Sequence, residues 1–543
     1  MDFFERLNQN REKKIIENIR RYGKVDERAI LKTFEKTSDK RKFIIQCSLA
    51  MNYQLPMVLE EAIIDFSRKN KEFLLRDCSS IYTTLSHGSR EKMNEIFMTL
   101  NNIEMMSKPE IFKWIDTEQQ LDILRNVDRN LITPQILAQI NKNARLEFIY
   151  NQDIENISKE WLETIPEVQR IELSKKWIKN GKVSIEQLDE LIGQEKVKNI
   201  VKGMIEEGVQ KPDTGVLRSE FIKQYISQKL CAGTKEMISL PEEMTIGVEI
   251  EAEGREIRGK LFDEWEAKAD GTLNNGTEVV SPILKSQEND TRNIYIMCTV
   301  LKEMGLECSE QCGGHIHIGA DHLTSKEAYT NLIELWGNLE EILYIISNAE
   351  GEIIRREGAS TYATPLSRKI EEALQTGTIN LEGENDLETF IEQMQSVQGD
   401  RYSGLNLLNV GTGKNTIEFR LSNGTIDPDT WIQNINLFGG IVHTAERIAQ
   451  LQRIPEGERT PEQQLQIELF ERINNPEIPE EEKLDSILTL AVVPDKKQIY
   501  EKRYAVNKKI LLEHPEVEES LRGNITSKPI KIKQIGKKVF TRD

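Results

Sequence analysis

Several features are scarce in this 543-residue chain, and each shortage removes a class of protein. Positive charge is short: 72 Lys and Arg stand against 90 Asp and Glu, a formal net charge of −18. That balance argues against a nucleic-acid-binding surface as the main role. Cysteine is sparse. Six residues, at 47, 78, 231, 298, 308 and 312, form no dense disulfide framework and suit reduced thiols in a cytosol. No apolar run approaches the roughly 20 residues that span a bilayer. The residues after Met1 lack a basic region followed by an apolar core, so no secretory signal is expected. A soluble, cytoplasmic protein without membrane or nucleic-acid partners is the expectation. Histidine is also rare, yet three of the six fall between 315 and 322. Length exceeds what one hydrophobic core usually serves, so two or three domains are expected.

Residues 1–235 carry apolar residues at three- and four-residue spacing and read as an all-α domain. Part of it repeats. Leu121-Asp-Ile-Leu, Leu146-Glu-Phe-Ile, Ile171-Glu-Leu-Ser and Val197-Lys-Asn-Ile begin about 25 residues apart. Between them, Thr133, Ser158 and Ser184 place hydroxyls where helices would begin, and Ser184 with Gln187 fits a capping box. Pro134 suits a first helical turn. Two readings stand: a solenoid-like stack of short helical hairpins offering a long surface to a peptide or protein, or an irregular helical domain packed on the rest.

Near Leu240-Pro241 the pattern changes to β-branched runs, glycines and turn dipeptides. Strands are expected at 244–250, 277–280, 315–318, 405–410 and 416–421. Helices are expected at about 290–304, 325–347 and from Asp427 to about 450. Strands separated by helices, with hairpin turns, make residues 236–452 an α+β domain with a largely antiparallel sheet. From 453 to 543 the chain reads as further helices (460–473, 480–490, 495–512) and a basic tail from Lys528, either solvated or docked on an acidic surface.

Three segments of that domain share one grammar: Gly247-Val-Glu249-Ile-Glu251, Gly313-Gly-His315-Ile-His317 and Thr416-Ile-Glu418-Phe-Arg420. On a strand, residues two apart share a face. Glu249, Glu251, His315, His317, Glu418 and Arg420 therefore line one face, with Val248, Ile250, Ile316, Ile318, Ile417, Phe419 and Leu421 on the other. With Glu278, four carboxylates and an imidazole would share one surface. Such crowding is costly without counter-charge, and divalent cations are the usual resolution. Carboxylate oxygens with one or two imidazoles suit Mg²⁺ or Mn²⁺ better than zinc. Two such ions can bridge polyphosphate oxygens, and Arg420 is placed to stabilise a transferring phosphoryl group.

Each segment alone has an ordinary explanation. Glu-x-Glu on a strand is commonly a solvated face, His-Ile-His a half-buried strand, Glu-Phe-Arg a structural ion pair and Asp270-Gly271 a turn. Coincidence in one domain shifts the balance. Gly411-Thr-Gly-Lys414 imitates a phosphate-binding loop, but Leu408 stands where its first glycine belongs and it joins two strands, so it reads as a hairpin turn. Cys308, Cys312, His315 and His317 have irregular spacing for structural zinc.

Five segments in order are similar to the amidoligase family, relatives of glutamine synthetase and the glutamate–cysteine ligases. They are Gly-Val-Glu249-Ile-Glu251, Asp270-Gly with Glu278-Val-Val-Ser-Pro282, Gly-Gly-His315-Ile-His317, Arg401-Tyr-x-x-Leu-Asn406 and Thr-Ile-Glu418-Phe-Arg420. The resemblance covers about 244–450 and implies a glutamine-synthetase-like antiparallel sheet flanked by helices. It also implies an ATP-dependent ligase joining a carboxylate to an amine through an acyl phosphate. By similarity, Glu249, His315 and Glu418 hold one metal, and Glu251 and Glu278 the other. Arg401 and Arg420 clamp phosphate, Asn406 lies with them on the nucleotide side, and His317 orients the site or contacts substrate. The reading is an ATP- and Mg²⁺- (or Mn²⁺-) dependent ligase acting on an amino acid, peptide or protein. Rivals are a guanidino-type kinase, a metal-dependent hydrolase and a non-catalytic scaffold keeping the fold.

Overall fold

The computed structural model describes residues 3–23, 26–210, 219–230, 235–261, 264–355, 358–378, 386–526 and 530. Cys231 and, apart from Ile530, the basic tail from Lys528 onward lie outside them. The chain divides into two units, Met1–Ile200 and Val201–Asp543.

The described residues of the first unit are helical. Helices Thr117–Asn126, Lys142–Asn151 and Glu167–Lys179 start 25 residues apart (142 − 117 and 167 − 142). Shorter helices alternate with them: Pro134–Gln139, Lys159–Glu163 and Ile185–Ile192. Their caps are Thr133, Ser158 and Ser184, each hydroxyl accepting from the backbone N–H of the third residue of its helix. The Ser184–Gln187 capping box is complete. The same position of successive long helices handles orphan carbonyls: Gln120 donates to Phe112 and Ile115, and Arg145, 25 residues on, to Ile140 and Thr164. Gln120 also accepts from Asn141 N–H at 2.8 Å, tying one segment to the next. Leu137, Phe148, Ile149, Trp161 and Leu162 fill the core between them.

The second unit is built on a seven-stranded sheet, antiparallel throughout, so it is α+β. In chain order the strands are β1 (Ile246–Glu253), β2 (Gly259–Lys260), β3 (Glu266–Asp270), β4 (Gly276–Val280), β5 (Gly313–Gly319), β6 (Leu405–Asn406) and β7 (Thr416–Asn423). Across the sheet they run β2-β3-β4-β1-β5-β7-β6. The alternation of burial along β1 follows the period of two: Val248 and Ile250 are fully buried and the glutamates between them only partly. Ile316, Ile318, Ile417, Phe419 and Leu421 extend that apolar face, and Phe419 stacks on Phe438 with centroids 4.6 Å apart.

Phe438 belongs to helix Pro428–Gln452, which lies beside helix Lys326–Ile346. Helices Glu480–Ala491 and Lys497–Glu513 pack on these two in turn. Both middle helices are buried nearly all round because they are covered by neighbours on more than one side. Asp427 and Ser325 cap them, each side chain accepting from a backbone N–H of the first turn. Gly314 permits the close fit to this layer: a Cβ there would sit 2.9 Å from the Trp431 ring. No helix among the described residues is long and apolar enough to cross a membrane.

Two differences from expectation have local causes. The strand expected at 405–410 stops at Asn406. Beyond it, glutamines of helix Leu387–Gln398 replace the ladder: Gln395 donates to the Leu407 and Val410 carbonyls, and Gln398 accepts from Leu407 N–H. Strand β3 was not expected, because Glu266-Ala-Lys-Ala-Asp270 has none of the β-branched bulk that marks a strand. It pairs with β4 across the turn containing Asp270-Gly271, where Asp270 Oδ1 accepts from Thr272 N–H at 2.8 Å.

Candidate functional site

The polar face of the sheet gathers the acids and imidazoles by register alone. Glu249 on β1 stands opposite His315 on β5, and Glu251 opposite Glu278 on β4. His317 stands opposite Glu418 on β7, which in turn faces Asn406 on β6. Between β5 and β7 the register steps from Gly314↔Ser422 to Ile316↔Phe419, so that Arg420 and Leu421 share the place opposite His315. This bulge was not legible from the alternation; bulges recur beside functional sites, where they re-aim side chains.

His315 lies between the two acid pairs. Its Nδ1 is 3.1 Å from Glu249 Oε2 and its Nε2 3.8 Å from Glu251 Oε1. Facing an ionised carboxylate, Nδ1 carries the proton. Glu251 also accepts from Gly313 N–H at 2.6 Å. Glu418 accepts from Arg420 (2.5 Å), Asn406 (2.7 Å) and Asn409 (3.2 Å), and Gln398 fixes Asn406 in turn. His317 has Nδ1 3.1 Å from Thr416 Oγ1. Its Nε2 approaches Glu249 Oε1 to 3.2 Å, a charge contact off hydrogen-bond alignment, which leaves that nitrogen buried without a hydrogen bond.

The electrostatics are those of crowded acids. Burial, with the Glu249 charge beside it, pushes the Glu278 carboxyl up to about 7. Burial also opposes ionisation of Glu249, but the His315 hydrogen bond and the His317 imidazole close beside it outweigh that and hold the carboxyl well below the usual range. At Glu418 burial is likewise outweighed, here by Arg420 and the two imidazoles. Two sets of ligand atoms each lie within 4.8 Å of one another, Glu249–His315–Glu418 and Glu251–Glu278–His315, and could hold a metal ion. Neither includes Cys308 or Cys312. Oxygen-rich donors, one of them driven toward protonation for want of counter-charge, fit a hard divalent cation.

These groups open onto a cavity of about 530 Å³. Glu249, Glu251, Glu278, His315, Glu418, Arg401, Arg420 and Asn406 all line it. Of the residues singled out from the sequence, His317 is the one outside the lining; it sits beneath Glu249 at 6% exposure. Arg401 lies over the Tyr402 ring at 5.2 Å. The sequence missed several wall residues. Lys268 comes from the unexpected β3, next to Glu278 in register. Arg355 and Tyr402 come from loops without a period to read, although Tyr402 follows Arg401 directly, and Tyr362 ends a single π-helical turn, Gly358–Tyr362. Lys414 comes from the glycine turn dismissed as a phosphate loop, which is a turn but borders the cavity all the same.

Fold and site together define an α+β protein with an acid- and imidazole-lined cavity on the polar face of an antiparallel sheet. Residues 250–442 match the model of a family described as “Putative amidoligase enzyme”. This part of the chain is thus amidoligase-like, and the description supports an amide-bond-forming ligase. The match spans β1 to the middle of helix Pro428–Gln452 and leaves the N-terminal helical half outside it. No curated protein matches the chain.

Proposed function

We propose that the protein is an ATP-dependent ligase that joins a carboxylate to an amine, on an amino acid, peptide or protein, by way of an acyl phosphate. The observation that carries this reading is the convergence of Glu249, Glu251, Glu278, His315 and Glu418, from four strands, on one cavity also lined by Arg401 and Arg420. Glu249, His315 and Glu418 would hold one Mg²⁺ or Mn²⁺, and Glu251 and Glu278 a second. Such ions would neutralise the polyphosphate and the charge that develops as its terminal group is transferred.

The chain's own residues account for the rest. Asn406 and Asn409 hold Glu418 by its Oε2, and Arg420 meets Oε1, so that carboxylate is fixed before any ligand arrives. Arg401 makes only a long contact to the Tyr402 hydroxyl and is available to a phosphate. Arg420 can serve phosphate oxygens once Glu418 turns part of its charge elsewhere. His317, off the cavity, positions Glu249. The substrate carboxylate is the first nucleophile and attacks the terminal phosphorus of ATP, releasing ADP. The amine then attacks the acyl carbon and phosphate leaves. No protein nucleophile is needed, and alignment of the reactants supplies much of the rate.

Incubation with ATP, Mg²⁺ and mixtures of acids and amines tests this. ADP release that requires both an acid and an amine, with an amide product by mass, is the expected result. ADP release with a guanidino compound alone would make the protein a kinase, and turnover without ATP a hydrolase. Absence of metal-dependent nucleotide binding would leave a scaffold.

A further inference from the structure

One wall of the acid-lined cavity is held from behind by chain far from it in sequence. Tyr362 and Ala363 line the cavity, and the residue after them ties into its other walls. Thr364 N–H donates to the Tyr402 carbonyl at 2.7 Å, Gly404 N–H to the Thr364 carbonyl at 2.9 Å, and Arg420 N–H to the Gly404 carbonyl at 2.9 Å. The Tyr362 and Tyr402 rings meet edge to face, with centroids 6.1 Å apart. From Ala363 to Leu366 the chain is neither helix nor strand beyond the single bridge of Thr364 with Ser403. Contacts behind it therefore decide how firmly this wall is held.

Helix Lys326–Ile346 supplies them. Gly337, Glu340 and Tyr344 stand three and four residues apart, hence on one face. Tyr344 donates to the Ala363 carbonyl at 2.5 Å, and buried Glu340 accepts from the Leu366 and Ser367 N–H groups at 2.6 and 2.9 Å. Gly337 receives Ile530, which is only 1% exposed; a Cβ on Gly337 would overlap the Ile530 side chain. Asn338 completes the seat, donating to the Ile530 carbonyl at 3.0 Å and accepting from its N–H at 3.2 Å. Chain shortly before Ile530 grips the same helix and wall. Arg522 donates twice to Glu341, at 2.9 and 2.8 Å, Arg368 donates to the Gly523 carbonyl, and Thr526 N–H meets Ser367 Oγ at 3.1 Å. A buried side chain in a notch left by glycine, with both its backbone groups paired, is a fitted contact. All of this C-terminal chain lies beyond residues 250–442, the part that the family model matches.

We propose that Ile530, seated on Gly337 and Asn338, is a positioning residue for the cavity: it fastens the C-terminal extension behind residues 362–367 and so fixes the Tyr362–Tyr402 wall and the strand that carries Arg420. Only the nucleotide readout below rests on the ligase reading. Deuterium exchange of the full-length protein, read by mass spectrometry, tests the coupling in Ile530→Asp, in Gly337→Ala and in Gly337→Ala combined with Ile530→Ala. Exchange at residues 363–367 and 402–404 should speed up by about tenfold or more in each single variant, the order that unseating one buried isoleucine provides. Strands β1 and β5 should exchange as in the wild type. Alanine favours a helix over glycine, so lost protection in Gly337→Ala cannot come from a weakened helix, and this variant decides should Ile530→Asp not fold. The double variant makes room for the new methyl and should recover most of the protection. Affinity for a non-hydrolysable ATP analogue with Mg²⁺ should fall about fivefold or more in the single variants and recover in the double. Faster exchange confined to residues 515–526, equal loss across the whole sheet, or a double variant left unrepaired overturns the proposal. So does faster exchange at 363–367 with unchanged affinity for the analogue. Failure of the wild type to bind the analogue counts against the ligase reading, and the exchange pattern still decides the role of Ile530.

Discussion

The two units use polar side chains in opposite ways. In the helical unit they serve the backbone nearby: Ser184 and Gln187 cap one helix, and Gln120 takes carbonyls five and eight residues behind it. In the sheet unit they come from far apart and face one another. Glu249 meets His315 across 66 residues, and His317 meets Thr416 across 99. Local satisfaction adds stability, whereas assembled acids store repulsion that a ligand can relieve. The difference teaches where to look for chemistry: where carboxylates converge with too few cations, not where they are merely numerous.

Substitutions can break that comparison. The largest effect is expected from Glu249→Ala or Glu418→Ala, which should lower metal-dependent nucleotide binding by about a hundredfold or more and leave the unfolding temperature of the metal-free protein nearly unchanged. Titration calorimetry with Mg²⁺ and a nucleotide analogue checks the first part, and a thermal melt the second. A variant that lost both equally would show the acids to be structural. The reverse is expected at Gln120→Ala in the helical unit, where orphaned carbonyls should cost about 1–3 kcal/mol, read by urea unfolding, without change in nucleotide binding.

A pH effect lies between the two. His443, half-buried with Nδ1 3.0 Å from His322 Nε2, has its pKa pushed down from 6.5 to about 4, by burial first and then by Arg447 and His322. Between those values the unfolded chain binds more protons than the folded one. Its contribution is therefore full above about 6.5 and is lost as pH falls toward 4. With solvent screening allowed for, that is about 1–2 kcal/mol. Melting temperatures from pH 7.5 to 4.5 should fall, and less steeply in His443→Phe. The smallest effect is expected from Ser184→Ala, about 1 kcal/mol from a lost cap, again by urea unfolding.

What the sequence made legible follows from period and punctuation. Glu249, Glu251, His315, His317 and Glu418 could be assigned to one face because strand side chains alternate strictly, and the register then brought them level. Thr133, Ser158, Ser184, Ser325 and Asp427 could be read as helix starts because a short oxygen-bearing side chain is what an unsatisfied N–H turn requires. Lys268 was hidden by a strand poor in branched residues. Arg355 was hidden because a loop has no period. The early end of β6 was hidden because its cause, Gln395 and Gln398, lies in a helix that had not been read. Local rules give faces and ends; they do not say which loop will close over a face.

The extra residue in β7 has an arithmetic consequence. On one side of it Glu418 is level with His317, and on the other Ser422 is level with Gly314. Removing Leu421 would iron out the step while leaving Glu418 level with His317 and Ser422 with Gly314, so that Arg420 alone faced His315 and lost the re-aiming that the extra residue supplies. This strand should accept exchanges of side chain far more readily than a change in its length.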